Sequence, residues 1–293
     1  MILLNGGAKS GTHEKLPEKL AELFSKHGVT PRIEEARNGE HFGQLLKQAT
    51  EGPEKIVVAG GGDGTVSGVA GALAGTGKTL GVLPLGTLNH FAKDLKIPLD
   101  LEGAVDTLMN GRTIEVDVGE VNGRVFINNS SIGLYPEIVR RRDKEQSTTK
   151  AGKWRAMLKA FVASLREYRM VRVRIRTADG EYQRTTPFVF VGNNEYNLQG
   201  FGAGGRAVLD AGQFCVWVAR GTRPLGLFRM GMRALFGRLE GARDFEAHTG
   251  TDFEIVPAHP KMHVSRDGET ELVETPLIYR LRPKALRVLV PQI

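Results

Sequence analysis

The first 118 residues alternate between short apolar runs and longer segments whose apolar residues recur at every third or fourth position. The apolar runs predict strands at residues 2–4, 29–33, 55–59 and 79–83. The periodic segments predict helices at residues 16–24, 42–49 and 66–73. Strands that alternate with helices indicate a mostly parallel sheet, and ligands of such sheets bind beyond the carboxyl ends of the strands.

The pattern changes after about residue 118, where short strand candidates follow one another with turn residues between them. They lie at residues 125–128, 171–177, 188–191, 214–219, 263–265 and 277–281. Such a series indicates a β-sandwich, here interrupted by helical periodicity near residues 153–168 and 225–236. We therefore expect an α/β domain over residues 1–118 and a β-sandwich domain over residues 119–282. A C-terminal tail at about residues 283–293 is expected to return to the first domain.

Composition places the chain among folded proteins and excludes several classes. Of the 293 residues, 41% are apolar and 25% charged, and no apolar run approaches the roughly 18 residues that a membrane-spanning helix needs. The first residues lack the basic and apolar regions of a secretory signal. A single cysteine, Cys215, excludes an internal disulfide and a cysteine-cluster zinc site. The expectation is a soluble, cytoplasmic protein.

The net charge of +7 makes acidic partners worth considering. Residues 140–176 carry thirteen basic side chains against three acidic ones, and residues 220–238 carry five arginines and no acid. Both segments interleave these charges with apolar residues, which fits helices packed on the sandwich or a surface that rests on anionic lipid. Nucleic acid is not expected, because no helix-turn-helix, zinc or RNA-stacking signature accompanies the charge.

Two sequences that look like phosphate motifs fail when their spacing is checked. Residues 75–79, Gly-Thr-Gly-Lys-Thr, lack the glycine that a P-loop requires five positions before Gly77, and they run into a strand rather than a helix. Residues 60–65 place Thr65 where the dinucleotide fingerprint has its last glycine, and no convincing ribose-binding acid follows about 20 residues later. Hydride transfer with a nicotinamide cofactor is therefore not indicated.

The loop Gly-Gly-Gly-Asp-Gly-Thr at residues 60–65 has instead the features of a site for nucleotide phosphates. Glycines at the end of a strand let backbone N–H groups approach phosphate oxygens, and a helix that starts there adds a partial positive charge. Phosphate would repel Asp63 unless a cation lay between them, so Asp63 indicates a bound Mg²⁺ or a hydroxyl proton to accept. A glycine-rich tight turn is the simpler alternative.

The sequence around this loop resembles the catalytic domain of the diacylglycerol kinase family, which includes soluble bacterial lipid kinases. Residues 57–66 resemble its nucleotide loop, and residues 83–95, with Gly-Thr-Leu-Asn, resemble its second loop and helix. Residues 114–119, residues 126–133 and the Asp-Gly-Glu at residues 267–269 continue the resemblance in the same order. The family implies a first domain like that of NAD kinases and phosphofructokinases and a second domain that is a β-sandwich.

The resemblance also implies which residues form the site. Those expected to bind ATP are Asn5, Gly11, Gly61, Gly62, Asp63, Gly64, Thr65, Gly86, Thr87 and Asn89. Glu269 would be the general base with Asp267 beside it, and Asp63 would hold Mg²⁺ or order its water. Asp117 would support the metal through an acidic network, and Asp210 is the candidate for a structural metal site.

Three departures from the family pattern bear on these assignments. His90 stands where the family usually has Asp, and Ser67 follows the main loop where the family tends to have Asn. Ala211 occupies the place of an Asp that binds a structural magnesium ion in some members, which leaves Asp210 one residue away. A second Asp-Gly-Glu at residues 179–181 lies between two predicted strands and indicates a hairpin turn, so chain position favours the later copy as catalytic.

The sequence therefore predicts an ATP-dependent lipid kinase that phosphorylates the hydroxyl of diacylglycerol or a related lipid. It would act as a peripheral enzyme at the inner, anionic face of the membrane, with ATP and Mg²⁺ as cofactors, and a homodimer stays open. One alternative is a soluble-metabolite kinase related to NAD kinases. Another is a nucleotide-binding regulator with impaired catalysis, which His90, Ser67 and Ala211 motivate.

Overall fold

The computed structural model describes residues 1–5, 15–133, 170–177, 180–196, 205–220 and 245–292. The chain divides into two compact units, one formed by Met1–Val118 with Arg282–Ile293 and the other by Gly119–Leu281. Two strands, Arg112–Val121 and Leu277–Val290, contain the positions at which the chain passes from one unit to the other.

The described parts of the chain form short helices and strands. The helices are α1 (Leu16–Ser25), α2 (Gly39–Glu51), α3 (Asp63–Leu73), α4 (His90–Asp94) and α5 (Leu101–Asn110). The first strands are β1 (Ile2–Asn5), β2 (Ile33–Ala36), β3 (Ile56–Gly61), β4 (Thr79–Pro84), β5 (Arg112–Val121), β6 (Arg124–Phe126), β7 (Asn129–Gly133) and β8 (Val171–Thr177). The remaining strands are β9 (Gly180–Thr186), β10 (Phe188–Asn193), β11 (Phe214–Ala219), β12 (Phe245–Gly250), β13 (Asp252–Pro257), β14 (Lys261–Arg266), β15 (Glu269–Glu274) and β16 (Leu277–Val290).

The first unit is built on a parallel sheet in the order β2-β1-β3-β4, and the last part of β16 adds a parallel strand beside β4. Successive residues of a strand point to opposite faces, yet every residue of β4 is buried, as are the last five of β3. Both faces of the sheet are therefore covered, as is usual when helices connect parallel strands. Helices α2 and α3 pack together, and α1 packs against α5.

The sequence places most elements of this unit correctly, but α5 and β5 were not predicted, and two predicted elements differ in their bounds. The predicted strand at residues 29–33 is wrong, because Val29 is exposed and β2 begins only at Ile33, which lies opposite Ile2. Pro31 has no N–H to donate, so the ladder starts beyond it. Helix α3 begins at Asp63, three residues before the prediction, and its N-cap is therefore inside the glycine-rich loop.

The second unit contains two antiparallel sheets that face each other across one apolar core. One sheet has the order β12-β11-β10-β7-β14-β15, and the other contains β13, β8 and β9 beside the first part of β16. Four rings from both sheets meet in the core, those of Phe126, Phe214, Phe253 and Tyr279. These two units confirm the predicted α/β domain and β-sandwich.

Tyr279 is fully buried in this core, and its hydroxyl lies 3.1 Å from the Ser130 Oγ. Burial raises the pKa of Tyr279 to about 12, so the phenol stays neutral at physiological pH. Each strand predicted for the second unit is present, but β7, β9, β12, β13 and β15 were not predicted. β9, for example, is a polar strand at the end of its sheet and lacks the apolar pattern that the prediction used.

Two features predicted from the sequence fall on parts of the chain that the structure does not describe. The helical periodicities near residues 153–168 and 225–236 lie outside the described residues, and so does most of the basic sequence at residues 140–176 and 220–238. None of the helices α1 to α5 that the structure describes is long and apolar enough to cross a membrane.

Candidate active site

The glycine-rich loop of the first unit ends strand β3 and begins helix α3. β3 ends at Gly61, Gly62 is the N-cap, and Asp63 is the first residue of the helix. The N–H groups of a first helical turn have no partner within the helix and carry a partial positive charge, so they can bind an anion. Gly61 has no space for a side chain, because an added Cβ would lie 2.5 Å from the Thr65 Oγ1.

Asp63 joins this loop to a second loop, residues 85–89, which connects β4 to α4. Its Oδ2 accepts the N–H of Asn89 at 3.0 Å, and its Oδ1 accepts the N–H of His90 at 2.7 Å. These two residues are the N-cap and first residue of helix α4, where a carboxylate is also favoured by the helix dipole. The half-buried Asp63 carboxylate thus fixes the second loop relative to the first.

Asn89 shapes the second loop from within. It is 8% exposed and has left-handed backbone angles, with a φ of 51°. Its Oδ1 accepts the Gly86 N–H at 3.0 Å, and its Nδ2 donates to the Pro84 and Gly86 carbonyls at 3.2 and 2.8 Å. The backbones of the two loops also touch, since a Cβ on Gly86 would lie 2.5 Å from the Gly62 Cα.

Asn5, at the carboxyl end of β1, reaches the same place. Its Nδ2 donates to the Oγ1 of the buried Thr65 at 3.1 Å. The structure therefore brings together most residues predicted to bind ATP, at the carboxyl ends of β1, β3 and β4. Those it brings together are Asn5, Gly61, Gly62, Asp63, Gly64, Thr65, Gly86 and Asn89. Thr87 is exposed on the second loop, and Gly11 lies outside the described residues.

Lys78, the lysine of the rejected P-loop sequence, caps helix α2 instead. Its ammonium donates to the carbonyls of Ala49, Gly52 and Glu54 at 2.9, 2.5 and 2.9 Å. The last carbonyls of a helix have no partner within the helix, so a cation there satisfies them and complements the dipole. The three donors of the ammonium are all used, which confirms that residues 75–79 are not a P-loop.

The later Asp-Gly-Glu, in the second unit, forms the tip of the hairpin between β14 and β15. Asp267 and Gly268 have φ values of 47° and 88°, as the two central residues of a type I′ turn require. The Asp267 carboxylate accepts the N–H groups of Ile127, Asn128 and Asn129 at 2.9, 2.8 and 3.1 Å. Glu269, two residues after Asp267, is exposed at the start of β15.

The earlier Asp-Gly-Glu lies at a hairpin as the sequence predicts. Strands β8 and β9 pair antiparallel with Thr177 opposite Gly180, and residues 178–179 between them are outside the described chain. Glu181 forms ion pairs with Arg174 and Arg176 at 3.2 and 3.0 Å. Its carboxylate is thus used within the sheet surface.

The two other acidic residues assigned to metals lie at separate places. Asp117 is 2% exposed in the first unit, and its Oδ1 accepts the N–H of Lys284 in β16 at 2.8 Å. Asp210 is exposed in the second unit, one residue before Ala211, whose N–H binds the Asn194 Oδ1 at 2.9 Å. Within the described parts of the chain, no three His, Cys, Asp or Glu side chains gather as a metal cluster would require. The roles of both residues stay predictions.

Arg206 is a buried charged residue that the sequence did not single out. It is 5% exposed, and its guanidinium binds Ile127 and Asn128, in the corner between β6 and β7 that Asp267 also binds, together with the Asn193 carbonyl. Nothing in the local sequence Gly-Gly-Arg-Ala signals this, because its partners lie 13 to 79 residues away along the chain.

Comparison with protein families matches both units. Residues 1–121 match the diacylglycerol kinase catalytic domain. Residues 136–290 match the YegS C-terminal NAD kinase beta sandwich-like domain. A diacylglycerol kinase of Staphylococcus epidermidis is 32% identical over 139 residues, which are 47% of this chain and 43% of the relative. A diacylglycerol kinase of Bacillus subtilis is 36% identical over 136 residues, which are 42% of this chain and 45% of the relative. The alignments thus span less than half the length of these relatives.

Solved structures show the same fold at low sequence identity. A diacylglycerol kinase structure from Bacillus anthracis has a TM-score of 0.73 at 21% identity, covering 99% of this chain and 96% of that one. A yeast NADH kinase complexed with NADH has a TM-score of 0.57 at 10% identity, covering 99% of this chain and 83% of that one. The two domain matches decide the family: the chain belongs to the proteins that join a diacylglycerol kinase catalytic domain to a YegS C-terminal NAD kinase beta sandwich-like domain.

Proposed function

We propose that this protein is a lipid kinase that transfers the γ-phosphoryl group of ATP to the hydroxyl of diacylglycerol or a related lipid. The observation that carries the proposal is the pair of loops that Asp63 fastens together at the start of helix α3. These loops lie in the segment that matches the diacylglycerol kinase catalytic domain, and relatives of this chain carry that enzyme's name.

The ATP phosphates would bind at the N-terminus of α3. Gly62 and Gly64 present backbone without side chains there, so phosphate oxygens can approach the N–H groups of the first turn. The second loop would contribute Thr87, whose exposed hydroxyl can donate to a phosphate or a ribose. Because Asn89 and Asp63 hold that loop through five hydrogen-bonded backbone groups of residues 84, 86, 89 and 90, its shape is set before nucleotide binds.

The donors present fit a magnesium ion that arrives with ATP. Mg²⁺ is commonly bound by one or two carboxylates together with substrate phosphates and water, rather than by a cage of protein ligands. The Asp63 carboxylate accepts one N–H at each oxygen, and each oxygen has a further lone pair for a metal or its water. When bound, the ion would offset the negative charge on the β- and γ-phosphate oxygens.

In the second unit, Glu269 is the residue proposed to take the acceptor's proton. The lipid hydroxyl oxygen forms a bond to the γ-phosphorus, the bond from that phosphorus to the β-bridging oxygen breaks, and ADP leaves. The hydroxyl proton passes to the Glu269 carboxylate, which is exposed and therefore accessible to an acceptor. Asp267 cannot easily share this role, because its carboxylate already holds three backbone N–H groups.

We also propose that the protein works at the surface of an anionic membrane. The support is the net charge of +7 and the five arginines among apolar residues at 220–238, where each basic residue near the membrane would contribute about 1 kcal/mol. Binding to vesicles with anionic lipid should then fall steeply as salt is raised. Equal binding to neutral and anionic vesicles would contradict the proposal.

The decisive experiment incubates the purified protein with γ-labelled ATP and Mg²⁺ in three arms. One arm contains a panel of lipids with diacylglycerol, one contains NAD⁺, and one has no acceptor. The proposal is supported if the parent protein labels a lipid and the Asp63→Asn variant does not. Label in NAD⁺ alone would replace it with the soluble-metabolite kinase, and nucleotide binding without transfer to any acceptor would favour a regulator.

A further inference from the structure

The corner between β6 and β7 has its backbone groups bound from two sides. On one side, the Asp267 carboxylate accepts the N–H groups of residues 127, 128 and 129, and the Asp267 N–H donates to the Asn129 carbonyl at 2.9 Å. On the other side, the Asn193 N–H donates to the Asn128 carbonyl at 2.9 Å, and its Nδ2 donates to the Ile127 carbonyl at 2.9 Å. The corner thus connects the hairpin tip to the end of β10.

Arg206 completes the second side. Its Nη1 donates to the carbonyls of Ile127 and Asn193 at 2.7 and 3.0 Å, and its Nη2 donates to the Asn128 Oδ1 at 2.9 Å. The guanidinium carbon lies 5.5 Å from the centre of the Tyr196 ring, which covers it. A planar guanidinium suits this place because its fixed fork reaches three acceptors at once.

From this arrangement we propose that Arg206 is a positioning residue for the hairpin tip that carries Glu269. The peptide that joins Ile127 to Asn128 lies between two charges: the Asp267 carboxylate accepts its N–H, and the Arg206 guanidinium donates to its carbonyl. The two charges polarise this peptide in the same sense, so each bond strengthens the other, and Arg206 also binds the Asn128 side chain. The inference rests on the proposed function, because the residue it positions is the proposed base.

Loss of the Arg206 hydrogen bonds should affect the chemical step more than nucleotide binding. Without the guanidinium, the Asn128 Oδ1 loses its charged donor in a buried place, and the Ile127 carbonyl is left with the Asn193 Nδ2, so the corner relaxes to satisfy the amide oxygen. A shift of about 1 Å at a catalytic group is enough to cost on the order of 10²-fold in rate. The phosphate loops belong to the other unit and keep their own hydrogen bonds.

The test compares Arg206→Met, Arg206→Lys and Asp267→Asn, with the double variant Arg206→Met/Asp267→Asn. Arg206→Met should lower kcat by about ten- to a hundredfold with the KM for ATP within about twofold of the parent. Arg206→Lys keeps the charge but not the planar fork, so its kcat should lie between those of the parent and of Arg206→Met. Because the two side chains hold one corner, the double variant should be little worse than the poorer single variant.

Lys78→Met is the matched control, because Lys78 is also a cation bonded to backbone carbonyls, in the first unit. It should lower Tm without changing the kcat of the folded protein. Hydrogen exchange gives a readout besides activity: Arg206→Met should speed exchange of the amides of residues 127–129 and 267, whereas Lys78→Met should speed it only near the end of α2.

The outcomes separate this inference from the proposed function. Unchanged amide exchange at residues 127–129 in Arg206→Met would overturn the positioning role of Arg206. A kcat loss that Lys78→Met reproduces at equal Tm would overturn it too. Additive losses in the double variant would also count against it. If the parent protein phosphorylates no lipid, the proposed function fails, and amide exchange at residues 127–129 and 267 alone then decides whether Arg206 positions the tip.

Discussion

Asp63 and Asp267 do the same structural work in different settings. Each carboxylate accepts backbone N–H groups of a segment that approaches it from elsewhere in the chain: two groups from the start of α4 for Asp63, and three from the β6–β7 corner for Asp267. Each sits at a turn, one beginning a helix and the other forming the tip of a hairpin. The aspartates that the sequence marks for chemistry are thus also the residues that hold their loops in place.

The difference between them lies in what remains available for chemistry. Asp63 has one N–H at each oxygen, so its carboxylate can still accept a hydroxyl or ligate an ion. Asp267 accepts from three N–H groups, and the neighbouring Glu269 is the exposed carboxylate. In the first unit, Asp63 would both hold its loop and take part in the chemistry. In the second unit, Asp267 would hold the hairpin tip and Glu269 would take part in the chemistry. Substitutions can test this division.

The largest effect is expected for Asp63→Asn, because that residue would serve the loop and the chemistry together. An amide keeps the shape but lacks the charge that a magnesium–nucleotide complex needs, and it can accept only through one atom. We expect kcat to fall by about 10³-fold or more and the free energy of unfolding to fall by roughly 1–3 kcal/mol. Steady-state kinetics and urea unfolding measure the two. A variant with near-normal kcat and an unshifted magnesium optimum would contradict the assignment.

Glu269→Gln should give the next largest effect, and on activity alone. Losing a positioned base costs on the order of 10²-fold in kcat, whereas removing the charge of an exposed carboxylate should leave Tm within a degree or two. Glu181→Gln, in the earlier Asp-Gly-Glu, is the matched control and should change kcat less than twofold. A larger loss in Glu181→Gln would show that the catalytic copy is the earlier one, and an equal loss in both variants would contradict the assignment of Glu269 as the base.

Asp267→Asn, unlike Glu269→Gln, should lower the stability of the protein more than its activity. Its side chain would turn an N–H donor toward at least one of the three N–H groups it now accepts, at a cost of about 1–3 kcal/mol in the free energy of unfolding. Activity should fall only as far as the hairpin tip shifts. If instead Asp267→Asn unfolds like the parent protein in urea while kcat is lost, Asp267 acts in the chemistry and the division of roles is wrong.

The sequence predicts the first region better than the second, and chain distance explains why. The partners of Asp63 lie 26 and 27 residues away, in a loop whose Gly-Thr-Leu-Asn sequence is itself informative, and parallel strands carry both loops to one edge. The partners of Asp267 lie 138 to 140 residues away, and Arg206 reaches them from a third segment. Antiparallel register brings these residues together, and no local pattern encodes such pairing. The sandwich itself was predictable because β8 alternates between apolar and charged residues and β10 and β11 are apolar runs, whereas polar strands such as β9 show neither pattern.

The smallest effect sharpens the comparison with a carboxylate whose partner is a charged side chain. In the second unit, Glu246 on β12 accepts two hydrogen bonds from the Arg184 guanidinium on β9, at 2.8 and 2.7 Å, and lies 3.0 Å from the His248 Nε2. The hydrogen bond from Arg184 lowers the pKa of Glu246 below its ordinary value, against a smaller opposing effect of burial. A carboxyl group whose pKa is lowered by folding stabilises the fold above its unfolded pKa of about 4.3, and this contribution is lost as pH falls through the folded pKa. Because Arg184 is 38% exposed, solvent screening keeps the contribution small.

We expect Glu246→Gln to lower the free energy of unfolding by about 1 kcal/mol at pH 7, and the difference from the parent should close as pH falls below about 4. Glu181→Gln, which removes two exposed ion pairs, should change the free energy of unfolding by less than about 0.5 kcal/mol at either pH. Urea unfolding of the three proteins at pH 7 and near pH 3.5 measures this, and a pH-independent cost for Glu246→Gln would show that its packing, and not its charge, stabilises the unit.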